Sequence, residues 1–388
     1  MKRSETFCIL PWNHIATTST GNFRVCCNST PGENYILKED GSSYNISKDE
    51  ISEVWNSQTY TTIRKQMLDG ERPNMCKRCF REEDSGISSS RNAWNSKWDT
   101  ENKEFNTTAN LEDIKYVDIR LSNLCNLKCR MCNPYSSSQW LDEWNMVAKD
   151  KLTESIVIKL SKMDWPEEDK VWETLELLSD SIEEIYLTGG EPTIIKSQHK
   201  LLDYLINAGK SSNITLKYNT NLTNIPKHLL ESWKLFKSVK LNCSIDAIGE
   251  LNRYIRYPSD WATIERNFFK VRELPNVITE VHCTVQMYNI FHLHQVLDWA
   301  NSNRVKVYLN ILDHPDHLNI RVLTDEMKIR VENNLIKYYD MPKVKGVVDY
   351  MMEDDWSHLY AEFIRYTQIL DESRNESLEA LVPELCIT

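Results

Sequence analysis

Between residues 114 and 315, short apolar runs alternate with longer segments in which apolar positions recur every three or four residues. Runs of four to eight residues rich in β-branched and aromatic side chains read as strands, and the 3.6-residue period reads as helix. Strands are therefore expected at 116–122, 182–188, 214–219, 239–245, 278–286 and 305–311, with helices between them. After Asp164-Trp165-Pro166, for instance, Glu167 and Glu168 suit the positive end of a helix dipole, and Val171, Leu175 and Leu178 supply an apolar stripe. Six β/α units in succession predict parallel strands joined by right-handed crossovers. The expected fold is α/β, a partial (β/α)6 barrel of the TIM type with its site at the C-terminal strand ends.

The flanks read differently. Gly21 suits a hairpin turn between an extended 15–20 run and 23–27, and 51–67 reads as one helix with Val54, Tyr60, Ile63 and Met67 on one side. Residues 85–112 are rich in Ser, Asn and Asp without apolar period, the signature of a connection. Beyond 316 two helices are expected, 325–339 and 356–373, the second with Leu359, Phe363, Tyr366 and Leu370 on one stripe. The division expected is a small N-terminal domain with its linker (1–105), a barrel (106–315) and a C-terminal helical extension (316–388).

Composition narrows the class. At 388 residues the chain exceeds the usual single-domain size, and 41% hydrophobic content supports a substantial core. A net charge of −11 argues against a nucleic-acid groove, which needs a basic stripe. No apolar run is long enough for a membrane span, and MKRSETFC lacks a hydrophobic signal region, so a reducing cytoplasm is the expected location. Eleven cysteines there, odd in number and clustered, point to metal ligation rather than disulfides.

Cys125, Cys129 and Cys132 stand at C-x3-C-x2-C spacing just after the first barrel strand. Iron-sulfur clusters are usually held by four cysteines, so three on one short loop can anchor a cubane and leave one iron open. Zinc is the competing reading, but it wants a fourth Cys or His nearby, and none follows Cys132 before His199. About sixty residues on, a second strand empties into Thr188-Gly189-Gly190-Glu191-Pro192, where the glycines permit a turn with positive φ. Cys243 and Cys283 lie in apolar runs and read as buried small hydrophobes, and His292 and His294 as surface residues of a helix.

CNLKCRMC followed at this distance by GGEP resembles the radical S-adenosylmethionine (SAM) family, over roughly residues 114–315. The resemblance implies a 4Fe-4S cluster on Cys125, Cys129 and Cys132 whose free iron chelates SAM, with Gly189, Gly190, Glu191 and Pro192 at the methionine. It further implies that Met131, where the family often has an aromatic residue, covers the adenine. Asn219, Asn221, Ser244, Asp246 and Gln286 are the polar strand-end residues expected to hold ribose and carboxylate, and Arg256 resembles an arginine that meets the carboxylate. Each of these could equally be an ordinary loop cap.

Cys8, Cys26 and the Cys76/Cys79 pair form a second set, with Cys27 beside Cys26 as an alternative ligand. Spacing alone leaves structural zinc and an auxiliary iron-sulfur cluster both open. C-x12-G-x4-C followed by CxxC resembles a SPASM or shorter twitch domain, which implies a second 4Fe-4S cluster on Cys8, Cys26, Cys76 and Cys79. Such domains usually follow the barrel; here the set precedes it.

The implied function is a radical SAM oxidoreductase that abstracts hydrogen from a peptide or protein substrate. It would be fed by a reducing electron donor such as flavodoxin or ferredoxin. The alternatives are dehydrogenation or epimerisation of a small molecule or sugar, and a non-catalytic iron-sulfur electron carrier.

Overall fold

The computed structural model describes residues 3–29, 35–84, 88–98 and 103–386. Among them are eight strands: β1 (His14–Thr17), β2 (Phe23–Arg24), β3 (Tyr116–Ile119), β4 (Glu184–Leu187), β5 (Thr215–Thr220), β6 (Ser238–Ser244), β7 (Val277–Val285) and β8 (Val307–Ile311). The last six fall where the apolar runs placed them. The chain divides into two compact units. The first comprises Met1–Asn123, Lys162–Lys217 and Leu235–Ser238, and the second Leu124–Ser161, Tyr218–Lys234 and Val239–Thr388.

The first unit carries the strand order β2-β1-β3-β4 and the start of β5. β1 and β2 form the expected antiparallel hairpin, whereas β1 joins β3, and β3 joins β4, in parallel. Thus the N-terminal hairpin extends the β/α sheet. Gly21 makes its turn at φ +80°, and a Cβ there would come within 3.0 Å of the Asn45 side chain and 3.1 Å of Trp165, so no other residue fits unstrained.

The helix expected over 51–67 is two helices, Ile51–Trp55 and Gln58–Leu68, broken at Ser57, whose hydroxyl caps the second by accepting from the Tyr60 N–H. The inward side is as expected: Val54, Tyr60, Ile63 and Met67 are buried. The supposed linker contains a further helix, Ser90–Trp98. Its inward face is polar, which is why apolar periodicity misses it. Arg91 is buried, ion-paired with Glu83, and donates to the Phe7 carbonyl at 2.6 Å, while Asn95 bonds the backbone of Phe7 and Ile9 at 2.8 Å.

The second unit carries the end of β5 and then β6, β7 and β8, the last three in parallel register. Leu241, Cys243, Val281, Cys283 and Val285 are fully buried on these strands, so the two cysteines are core residues. Among the described residues the strand order ends in β2 and β8. The C-terminal extension has the helices Asp325–Leu335 and Tyr360–Arg374, close to expectation, and between them Val344–Glu353, which the Pro and Gly of MPKVKG disguise as a turn. Among the described residues no helix is long and apolar enough to cross a membrane.

Burial holds the imidazole of His14 down at about 4, against the pull of Asp118. A depressed folded pKa means that the unfolded chain binds the extra proton first. The neutral ring therefore contributes stability above pH 6.5 that is lost as pH falls toward 4, by up to about 3 kcal/mol. Urea midpoints taken from pH 7.5 to 5 should fall, and less steeply in His14→Gln; equal slopes would contradict this.

Candidate functional site

Residues 124–132 form neither helix nor strand, so their geometry is set by what they touch. Lys128 and Arg130 donate backbone N–H bonds to the carbonyls of Tyr257 and Ile255, at 2.7 and 2.8 Å. Ser137 Oγ donates to the Leu127 carbonyl at 2.5 Å, Trp140 Nε1 to the Cys129 carbonyl at 3.0 Å, and Tyr366 Oη to the Arg130 carbonyl at 2.6 Å. The Arg130 guanidinium is fully buried. It reaches Asp371 at 2.5 Å and Glu376 at 3.0 Å and lies 3.5 Å from the centre of the Tyr254 ring. Lys128 and buried Arg374 both close on Glu143.

Held in this way, Cys125, Leu127 and Cys129 form one buried group against which Met131 and Cys132 pack. Burial raises the Cys129 thiol, with Arg256 pulling it back, and pushes Cys132 up to about 12. Neutral thiols stay protonated in such surroundings unless a metal takes the proton's place.

Of the strand-end residues, Asp246 and Arg256 come together beside the cysteines. Arg256 Nε lies 2.7 Å from Asp246 Oδ2, off the line of a hydrogen bond, which makes the contact an ion pair, and its Nη1 is 4.0 Å from Cys129 Sγ. Burial pushes Asp246 up and Arg256 counters it; burial likewise opposes the guanidinium charge, but Asp246 outweighs it and holds Arg256 above its usual value. At 2.7 Å the pair is charged. Asp246 also accepts from the Thr284 N–H at 2.7 Å.

Asn221 is tied to the cysteine loop, donating to Asn126 Oδ1 at 3.1 Å while its own oxygen accepts from Thr223. Asn219 accepts from Asn242 at 2.8 Å. Gln286 is buried at the end of β7 with its Oε1 unpartnered among the described residues, and Ser244 is the last residue of β6. Asn289, which sequence reasoning passed over, fastens this end of the sheet by donating to the Asp246 and Thr284 carbonyls at 2.9 Å. It lies four residues past β7 in an ordinary polar turn, so nothing local marks it.

In the first unit, Gly189 and Gly190 take φ +81° and +53°. Glu191 is 1% exposed, and its Oε1 accepts from the Thr193 N–H at 3.1 Å and hydroxyl at 2.8 Å, capping the short turn that Pro192 opens. That cap explains the acid at this position without reference to a ligand.

The N-terminal thiols also converge in the first unit. Cys8, Cys26, Cys76 and Cys79 line one pocket with Arg91 and Trp94. Burial raises all four, Cys76 to about 12. Cys8 is raised further by Cys76 and Cys79, and Cys26 by Cys27, Cys76 and Cys8, which places these sulfurs within electrostatic reach of one another. Cys27 borders the pocket, yet the charges acting on it are those of Asp118, Arg24, Arg120 and Lys217. None of the eleven cysteines is in a disulfide. Among the described residues no three His, Cys, Asp or Glu side chains close on a single point, the arrangement a lone ion requires. An iron-sulfur cluster instead spreads its thiolates over several irons, and the two all-sulfur donor sets suit it.

An alanine at Gly189 would place its Cβ 2.9 Å from Arg120 Cβ and 3.0 Å from the Ser122 carbonyl at a strained φ. Gly189→Ala should lose about 1–3 kcal/mol of stability in urea unfolding; wild-type stability would show that the turn relaxes freely.

Residues 119–300 match the radical SAM superfamily, and residues 8–80 match SPASM, an iron-sulfur cluster-binding domain. The chain is similar to GTP 3',8-cyclase of Syntrophomonas wolfei subsp. wolfei, 27% identical over 163 residues, or 42% of this chain and 44% of that protein. It therefore spans less than half the length of that curated relative. Among solved structures it resembles native anSMEcpe with bound AdoMet and the Cp18Cys peptide (14% identity, 60% of this chain and 61% of that one, TM-score 0.40). It also resembles Streptococcus suis SuiB bound to the precursor peptide SuiA (14%, 78% and 67%, TM-score 0.38). The first match implies a 4Fe-4S cluster and SAM, and the second auxiliary iron-sulfur clusters. The chain thus carries a radical SAM domain with a SPASM domain placed ahead of it.

Proposed function

We propose that the chain is a radical SAM oxidoreductase of the reducing cytoplasm, organised as an auxiliary domain (1–105), a radical SAM partial barrel (106–315) and a helical extension (316–388). With cofactors bound and one electron from a donor such as flavodoxin or ferredoxin, the C5'–S bond of SAM breaks to give methionine and a 5'-deoxyadenosyl radical, which takes a hydrogen atom from the substrate. Cys125, Cys129 and Cys132 hold the first cluster and leave one iron for SAM. Gly189 to Pro192 position the methionine and Met131 covers the adenine. Asn219, Asn221, Ser244, Asp246 and Gln286 hold ribose and carboxylate, and Arg256 meets the carboxylate through its fork. Cys8, Cys26, Cys76 and Cys79 hold the second cluster.

The observation that supports this reading is the pair of cysteine groupings outside any disulfide, Cys125, Cys129 and Cys132 in one and Cys8, Cys26, Cys76 and Cys79 in the other. Three ligands suit an open, reactive iron, and four a closed site for anchoring substrate or accepting an electron. The SPASM domain supports a peptide or protein substrate. A small-molecule substrate is the second reading, favoured by the similarity to an enzyme named for its action on GTP.

Anaerobic reconstitution should yield about eight irons per chain. With dithionite and SAM, the wild type should form 5'-deoxyadenosine, and Cys129→Ala should form none. Cys76→Ala and Cys79→Ala should retain about half the iron and fail to turn over substrate. Zinc in the anaerobic protein, or 5'-deoxyadenosine from Cys129→Ala, would defeat the assignment.

A further inference from the structure

One face of the first unit's sheet is unusually polar for a buried surface. Register aligns Arg24, Ala16, Asp118 and Tyr186 in a row across β2, β1, β3 and β4, and aligns His14, Tyr116 and Glu184 in the row beside it. Paired residues share a face, as do residues two apart on one strand, so Arg120 joins the set. The Lys217 ammonium lies 4.7 Å from the centre of the Tyr186 ring. Ala16, in the middle of the row, adds almost no side chain.

Arg24 reaches Asp118 at 3.3 Å, and Asp118 also accepts from the Thr188 hydroxyl at 3.4 Å. Glu184 is taken by Lys97. Arg24 Nε, Arg120 Nε, Tyr116 Oη and His14 Nε2 are all buried without a hydrogen-bond partner among the described residues, and Arg24, Tyr116 and His14 are only 6%, 1% and 1% exposed. Buried polar atoms are nearly always satisfied, so four orphans on one face need a common explanation. Two guanidinium groups, those of Arg24 and Arg120, face a single carboxylate, Asp118, and this indicates its sign, because a buried guanidinium without a counter-charge of its own is strongly disfavoured. Its chemistry follows as well: the Nε and Nη donors of a guanidinium match two oxygens of a carboxylate or phosphate.

We propose that Arg24, Arg120 and Lys217, with Tyr116 and His14, form an oxyanion subsite that anchors a carboxylate or phosphate of the substrate. The proposal rests on the radical SAM reading for its place in the reaction: the Gly189 turn packs directly on Arg120, so the anchored group would lie next to the turn assigned to methionine. It also explains why Cys27, whose electrostatic neighbours are these same charges, stands apart from the four-thiol set.

The test is thermal unfolding of the reconstituted holoenzyme without reductant, in inorganic phosphate or acetate against chloride of equal ionic strength. A ligand of the native state raises Tm with concentration. At least one oxyanion should do so, with a Kd at least tenfold weaker in Arg120→Gln and in Arg24→Gln. Lys38→Gln, which alters a half-buried pair with Asp49 away from this face, should bind as wild type. Tyr116→Phe removes one orphaned hydroxyl without introducing a buried charge, and should bind at least twofold more weakly if the arginine variants do not fold. Preference for phosphate assigns a phosphorylated substrate and preference for acetate a carboxylated one. The proposal is overturned if neither anion exceeds chloride, or if these variants bind as wild type. Because SAM is not cleaved in this assay, its failure leaves the radical reading standing, and failure of 5'-deoxyadenosine formation leaves the anion result intact.

Discussion

A loop with no regular structure of its own must hold three sulfurs in a fixed relation, and the second unit is organised around that demand. Backbone donors and acceptors removed from water must be paired. Residues 124–132 meet the requirement with two backbone bonds to residues 255–257 and with side-chain donors from Ser137, Trp140 and Tyr366. The buried Arg130 guanidinium, between two carboxylates and over a tyrosine ring, locks the loop to the helix Tyr360–Arg374. Removing one partner of such a group leaves an uncompensated buried charge, which typically costs about 3–5 kcal/mol. The C-terminal extension therefore fixes the cysteine loop.

The N-terminal thiols are arranged by a different device. Their four sulfurs come from segments far apart in sequence, gathered by the Gly21 hairpin and by the helices that bring Cys76 and Cys79 alongside. The adjacent Cys26 and Cys27 keep partly different company: Cys26 feels Cys27, Cys76 and Cys8, and Cys27 feels Asp118 and three cations. A doublet that looks redundant in sequence is thereby divided between two environments.

Much of this was legible in the chain. Six strands were visible because parallel strands are buried and their apolar content is dense, and the two cysteine sets and the Gly189 turn were visible because those motifs are short and local. What escaped was polar burial. The helix Ser90–Trp98 faces inward with Arg91 and Asn95, and Arg130, Glu143 and Arg374 read as ordinary surface charges until partners as distant as residue 376 are brought to them. Asp246 and Arg256 were each singled out, but their pairing depends on a turn that no periodicity encodes. Hydrophobic pattern reports which side chains leave water alone; it is silent about those that leave water in pairs.

Pairing also separates two kinds of buried charge in this molecule. Around Arg130 and Arg374 the carboxylates of Asp371, Glu376 and Glu143 supply a counter-charge for each guanidinium, although the Nη1 of each lacks a hydrogen-bond partner among the described residues, and such sites confer position. On the face that carries Arg24 and Arg120 the balance fails, in a chain whose overall charge is −11 and which has acidic residues to spare. Because supplying one more carboxylate would have been the simplest remedy for an idle positive surplus, its persistence beside a glycine turn points to a charge that arrives from outside the chain.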